Sequence, residues 1–132
     1  MVTIKNKKYK LVKNFLTKEE LELAKKYILM RHKLNRSEFD FTQNNNSDTM
    51  FYRDPFCEAL LYNKLELMEK ETNLKLFPTY SFSRLYSYRA DLKKHRDRPS
   101  CEISVTVMFG SDGTDWPIYM GNKPIHMKPG DA

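Results

Sequence analysis

The spacing of apolar residues changes period partway along the chain. Up to about residue 73 it is mostly helical, with apolar positions three or four apart, and from Pro78 onward apolar and polar residues alternate. One short alternating stretch comes first: Tyr9, Leu11 and Phe15, with Lys10 and Lys13 between them, read as a strand. Thr17-Lys-Glu-Glu20 then has the spacing of a capping box and starts a helix that the pattern carries to about Leu34. Leu23, Tyr27, Met30 and Leu34, flanked by Leu21, Ala24 and Ile28, form one broad stripe on it that is expected to be buried. Gln43 to Asp48 reads as a polar loop, because Asn, Ser and Asp side chains compete for backbone hydrogen bonds. Asp54 before Pro55 marks a second helix, with Asp as N-cap and Pro at the first helical position, running to about Glu71.

In the alternating part, Tyr80, Phe82, Arg84, Tyr86 and Tyr88 fall on one face of a strand and Ser81, Ser83, Leu85 and Ser87 on the other. A second strand is expected at Cys101 to Phe109, with Ile103, Val105, Val107 and Phe109 on one face. Gly110-Ser-Asp-Gly113 is a turn, Trp116 to Met120 a third, short strand, and Lys128-Pro-Gly-Asp131 a further turn. Helices followed by antiparallel strands predict an α+β or mainly β sandwich with helical packing on one side.

Composition narrows the class. A chain of 132 residues with 40% hydrophobic and 30% charged residues is long enough for one core and too apolar to stay disordered. No apolar run approaches the ~20 residues of a bilayer span, and the Lys-rich start lacks the apolar stretch of a secretory signal, so no membrane partner and a cytoplasmic location are expected. The net charge of +6 is unevenly spread: residues 1–36 hold eleven Lys/Arg against three Glu, and the remainder twelve against fourteen acids. Lys18, Lys25, Lys26 and Lys33 then read as a solvated helix face before they read as a nucleic-acid contact. Cys57 and Cys101 belong to no CxxC pair and are expected to be buried, reduced thiols.

The residues that suggest chemistry are His95-Arg96-Asp97. In an extended backbone His95 and Asp97 project the same way, so an imidazole nitrogen and a carboxylate oxygen can meet one metal ion, as two thirds of a 2-His-1-carboxylate triad for Fe(II). Around them, Leu76-Phe-Pro-Thr-Tyr-Ser-Phe-Ser-Arg-Leu-Tyr86, Leu92-Lys-Lys-His95 to Ser104, Trp116-Pro-Ile-Tyr119 and Lys128-Pro-Gly-Asp131 closely resemble the 2-oxoglutarate and Fe(II)-dependent oxygenases of the prolyl-4-hydroxylase-like superfamily. The resemblance covers roughly residues 74–132.

It implies a double-stranded β-helix, or jelly roll, with N-terminal helices packed on one sheet. The activity implied is a dioxygenase that hydroxylates a small molecule or a peptidyl group with Fe(II), 2-oxoglutarate and O2, ascorbate serving as reductant. His95 and Asp97 match the first two iron ligands, with no catalytic residue beyond the metal ligands, and Tyr86 matches a pocket residue that donates to co-substrate or substrate. Arg84 and Tyr88 share the Tyr86 face and with Leu92 are expected to wall the substrate pocket, Arg84 either contacting substrate or pairing with a core carboxylate. The family's second His and its basic 2-oxoglutarate ligand follow the Pro-Gly-Asp turn, and His126 precedes it. The chain therefore reads as a single domain over 1–132, truncated at its C-terminal side, with an N-terminal strand and helices in 1–73 and the first part of the jelly roll in 74–132. As such it is expected not to turn over 2-oxoglutarate and to self-associate through an open sheet edge. Two alternatives stand beside it: a catalytically silent jelly-roll interaction protein, and a nucleic-acid module in which Tyr80, Phe82, Tyr86 and Tyr88 stack bases beside Arg84 and Arg89. Exposure of those rings separates the nucleic-acid reading from the others.

Overall fold

The computed structural model describes residues 9–34, 49–88 and 90–132. In chain order they form α1 (Lys18–Leu34), β1 (Thr49–Tyr52), α2 (Pro55–Asn63), α3 (Leu65–Thr72), β2 (Phe82–Leu85), β3 (Ile118–Met120) and β4 (Lys123–Ile125). The chain divides into two compact units: a contiguous one, Met30–Glu102, and a split one, Met1–Leu29 with Ile103–Ala132. Among the described residues no helix is long and apolar enough to cross a membrane.

In the contiguous unit β1 pairs antiparallel with β2, in the register Thr49↔Leu85, Met50↔Arg84, Phe51↔Ser83 and Tyr52↔Phe82. Met50 and Phe51 are successive, so they point to opposite faces, yet both are fully buried; β1 is a strand covered on both sides. Arg53, with φ 53°, ends it and turns the chain toward α2. Asp54 then caps α2 as its sequence implies: one carboxylate oxygen accepts the Phe56 N–H at 3.0 Å. The other meets Arg31 Nε at 3.2 Å, and the Arg31 guanidinium lies 4.4 Å from the Phe51 ring centre. The helix expected to run unbroken to Glu71 divides at Lys64 (φ −94°, ψ 1°) into α2 and α3. Asn73 ends α3 in the left-handed conformation (φ 56°) that Asn tolerates. Glu58 of α2 accepts both the N–H and the hydroxyl of Ser81, at 2.6 and 2.7 Å, and so fixes the approach to β2.

In the split unit the capping box forms reciprocally: Thr17 N–H donates to Glu20 Oε2 at 2.8 Å, and Glu20 N–H to Thr17 Oγ1 at 3.2 Å. Ala24 and Ile28 are the buried residues of α1, and Phe15 and Leu16 add to the core of the split unit. Of the broad stripe expected to be buried, only the Ala24 and Ile28 flank is; Leu21 and Tyr27 are half-buried, and Leu23, Met30 and Leu34 are exposed, Leu34 at 70%. The sequence of α1 is apolar on more than one side, so its period offers two faces, and the one carrying small Ala24 permits the closer approach. Tyr9 to Phe15 is not a strand, but Val12 exchanges two backbone hydrogen bonds with Ala132, at 2.7 and 3.0 Å. The Lys128–Asp131 turn is present, with Gly130 at φ 93°. Met108 and Leu16 both bond the backbone of this turn. β3 and β4 form a hairpin, Ile118↔Ile125 to Met120↔Lys123, closed by Gly121 at φ 65°.

The jelly roll expected from the resemblance is not present. Among the described residues there are two separate sheets of two strands each, neither curled into a barrel, and the fold is a small mixed α/β one. Tyr80 to Tyr88 yields only the four residues of β2, Trp116 to Met120 only those of β3, and Cys101 to Phe109 no strand. Alternation dictates which side chains share a face, whereas a sheet also needs a partner edge along its length. In that last stretch Met108 finds one, exchanging bonds with the Gly130–Asp131 backbone. The loop read at Gln43 to Asp48 lies outside the described residues.

Candidate functional site

β2 separates two kinds of side chain. Ser81 is held by Glu58, and Ser83 is buried next to the Cys57 thiol, so the serine side of the strand faces inward. The ring-bearing side is covered in part: Phe82 is 47% exposed and Tyr88, just past the strand, 85%, while Tyr80, Arg84 and Tyr86 are half-buried and Met50, opposite Arg84, is fully buried. Arg84 lays its guanidinium 4.6 Å from the Tyr86 ring centre, and Tyr80 packs its ring against Tyr52 with centres 5.2 Å apart. An aromatic strand face usually belongs in a core; here Phe82 and Tyr88 do not.

Residues 91–100, which follow, are exposed throughout, including Lys93, Lys94, Arg96 and Arg98. The run folds back on the aromatic strand. Cys101 N–H donates to Arg98 O at 2.8 Å, and the Cys101 thiol donates to the Tyr80 hydroxyl at 3.0 Å. The hydrogen bond with Cys101, then burial, hold the Tyr80 phenol above its ordinary range, while the charges of Arg98 and Asp97 act on it with opposite signs. Arg98, at the end of the run, therefore stands near the Tyr80 ring.

His95 Nδ1–H donates to Lys93 O at 2.8 Å, which turns Nε2 toward Asp97 Oδ1 at 3.4 Å, both side chains about half exposed. Arg84 lies over the Tyr86 ring, and Tyr88 and Leu92 are exposed. His126 belongs to the split unit and pairs with Asp115 at 3.0 Å. Among the described residues no three His, Cys, Asp or Glu side chains come together as a metal-binding group.

Comparison with family models, with curated proteins and with solved structures finds no match to this chain. The resemblance to the prolyl-4-hydroxylase-like oxygenases therefore has no support in those comparisons, and the fold on which it depends is absent from the described residues. The dioxygenase assignment, and the silent jelly-roll alternative with it, do not hold. The charge reading also needs correcting. Summing all residues after 36 hides a local surplus: Arg84, Arg89, Lys93, Lys94, Arg96 and Arg98 stand against only Asp91 and Asp97 within residues 84–98. A sum over a sliding window of that length finds it; Arg89 itself lies outside the described residues.

Proposed function

We propose that this chain acts by binding a polyanion through Arg84 and the exposed run at residues 91–98 of its contiguous unit. The observation that carries the reading is the exposed run Lys93, Lys94, Arg96 and Arg98, which turns back to the strand bearing Arg84. Cations spaced this closely repel one another in the empty protein, and a polyanion that releases its counterions relieves that repulsion. The reading goes with a cytoplasmic chain, where the thiols of Cys57 and Cys101, neither in a disulfide, stay reduced.

Heparin, as a generic probe, tests it. Affinity is expected to fall steeply between 50 and 200 mM salt, on the order of a hundredfold or more for a handful of ionic contacts. The combined variant Lys93→Gln, Lys94→Gln, Arg96→Gln, Arg98→Gln should lose most of the affinity and most of its salt dependence. A control replacing Lys64, Lys70 and Lys75 by Gln should keep both. Equal loss in the two variants would reduce the effect to net charge alone and sink the proposal.

A further inference from the structure

We infer that the polyanion is a single-stranded nucleic acid, an inference that rests on the polyanion reading above. The cations alone would suit any chain of negative charges. What selects among them is the set of exposed rings in the same stretch of chain. Phe82 is exposed on the side of β2 opposite its buried serine, Tyr88 is exposed three residues past the strand, and Phe77, five residues before Phe82, is 84% exposed. A sulfated polysaccharide or an acidic peptide has no flat partner for such rings. A duplex has its base faces stacked inside and presents mainly phosphates and groove edges. Unpaired bases offer both chemistries at once, a π-face for a ring and a phosphate for a cation.

Spacing agrees with this occupant. Along a strand, Phe82 and Arg84 point the same way about 6.7 Å apart, close to the reach of one nucleotide in an extended single strand. The Arg84 guanidinium already lies over the Tyr86 ring at 4.6 Å, so a cation is accommodated on that ring face. The basic run then leaves the strand and returns at Tyr80, which brings Arg98 near the start of the ring-bearing segment. A bound strand would stack bases on Phe82 and Tyr88 while its phosphates follow Lys93, Lys94, Arg96 and Arg98.

Fluorescence anisotropy on the full chain decides the matter, with labelled 15-mers of oligo(U) and oligo(dT), a duplex of the same length, heparin and poly-glutamate as probes. The two single strands are expected to bind at least tenfold tighter than the duplex or poly-glutamate at matched salt, and their ratio to each other reads the contribution of the 2′-hydroxyl. Tyr88→Ser, a change at the most exposed ring, should weaken oligonucleotide binding about fivefold or more and leave heparin binding unchanged. Phe82→Ser should add to it, and circular dichroism checks that this variant, altered within β2, is still folded; if it is not, Tyr88→Ser alone decides. Duplex or poly-glutamate binding as tight as single-strand binding overturns the inference, as does a Tyr88→Ser variant that binds oligonucleotide like the parent. In those outcomes heparin binding can persist and the polyanion reading stands. Failure to bind heparin and both oligonucleotides removes both.

Discussion

Asp54 shows how much one carboxylate can hold. One oxygen caps α2 and the other meets Arg31, whose guanidinium lies over the Phe51 ring, and the Asp54 side chain is almost completely buried. Asp54→Ala removes the cap and strands a mostly buried cation, so it is expected to cost about 3–5 kcal/mol in urea unfolding. Asp54→Asn keeps an acceptor for the Phe56 amide and should cost less. Equal losses would show that the charge, not the cap, carries the effect. The cap was legible from Asp-Pro alone, because capping chemistry is local; the Arg31 partner, 23 positions upstream, was not. The two thiols differ in a similar way. Burial pushes the Cys57 thiol up to about 11 from an ordinary 9.0, whereas Cys101 is half-buried. A raised pKa means less thiolate at any lower pH, so at pH 8 Cys57 should react with a disulfide reagent about a hundredfold more slowly than an unshifted thiol, and faster only on unfolding. Equal labelling rates for both cysteines in the native chain would contradict the burial assigned to Cys57.

At the scale of elements, starts and stops were readable and faces were not. Thr17 to Glu20 announced the beginning of α1, and the reciprocal bonds form, yet of the broad apolar stripe only the flank with Ala24 and Ile28 is buried, while Leu23, Met30 and Leu34 are exposed. Ile28→Ala is therefore expected to destabilise by about 2–5 kcal/mol, and Leu34→Ala by no more than about 0.5 kcal/mol, in thermal or urea unfolding. The reverse order would put the buried stripe back where the period first placed it. β1 went unread because four residues with both faces covered show no alternation, which is the signal on which a half-buried strand is recognised. Cys101 to Phe109 is the opposite case: it alternates well and pairs hardly at all.

Over the whole chain, sequence-distant contacts decide the fold, and these leave the weakest local trace. Asp131 is the clearest instance. Its carboxylate accepts the Asn14 N–H, 117 positions away, and the Lys128 N–H, each at 3.0 Å. Burial pushes its pKa up, but those two amides, with the charges of Lys13 and Lys128, outweigh it and hold the carboxyl below its ordinary range. A lowered folded pKa gives stability that is present above the unfolded value near 4 and is lost as pH falls through the folded one. Asp131→Asn should therefore lower stability at pH 7 by about 1–3 kcal/mol and flatten its fall below about pH 4, measured by urea unfolding at a series of pH values. A variant with the same acid profile as the parent would show that Asp131 does not titrate with unfolding. The oxygenase resemblance rested on local spacing in residues 74–132, and such spacing is compatible with more than one set of long-range partners. The charge surplus at 84–98, by contrast, was present in the sequence and was lost only by averaging it over too long a window.

The way Val12 meets Ala132 bears on how the chain is made. A ribosome releases residues in order, at about 5–20 per second. Residues up to Leu29 emerge first, but the segment they pack with, Ile103–Ala132, is not yet synthesised. The 73 residues from Met30 to Glu102 come between, a delay of about 4–15 s. Throughout it, Ala24 and Ile28 as well as Leu23 and Met30 are open to water on a nascent helix, a natural substrate for a chaperone. The contiguous unit has no such wait, so translation itself gives it the earlier opportunity to fold.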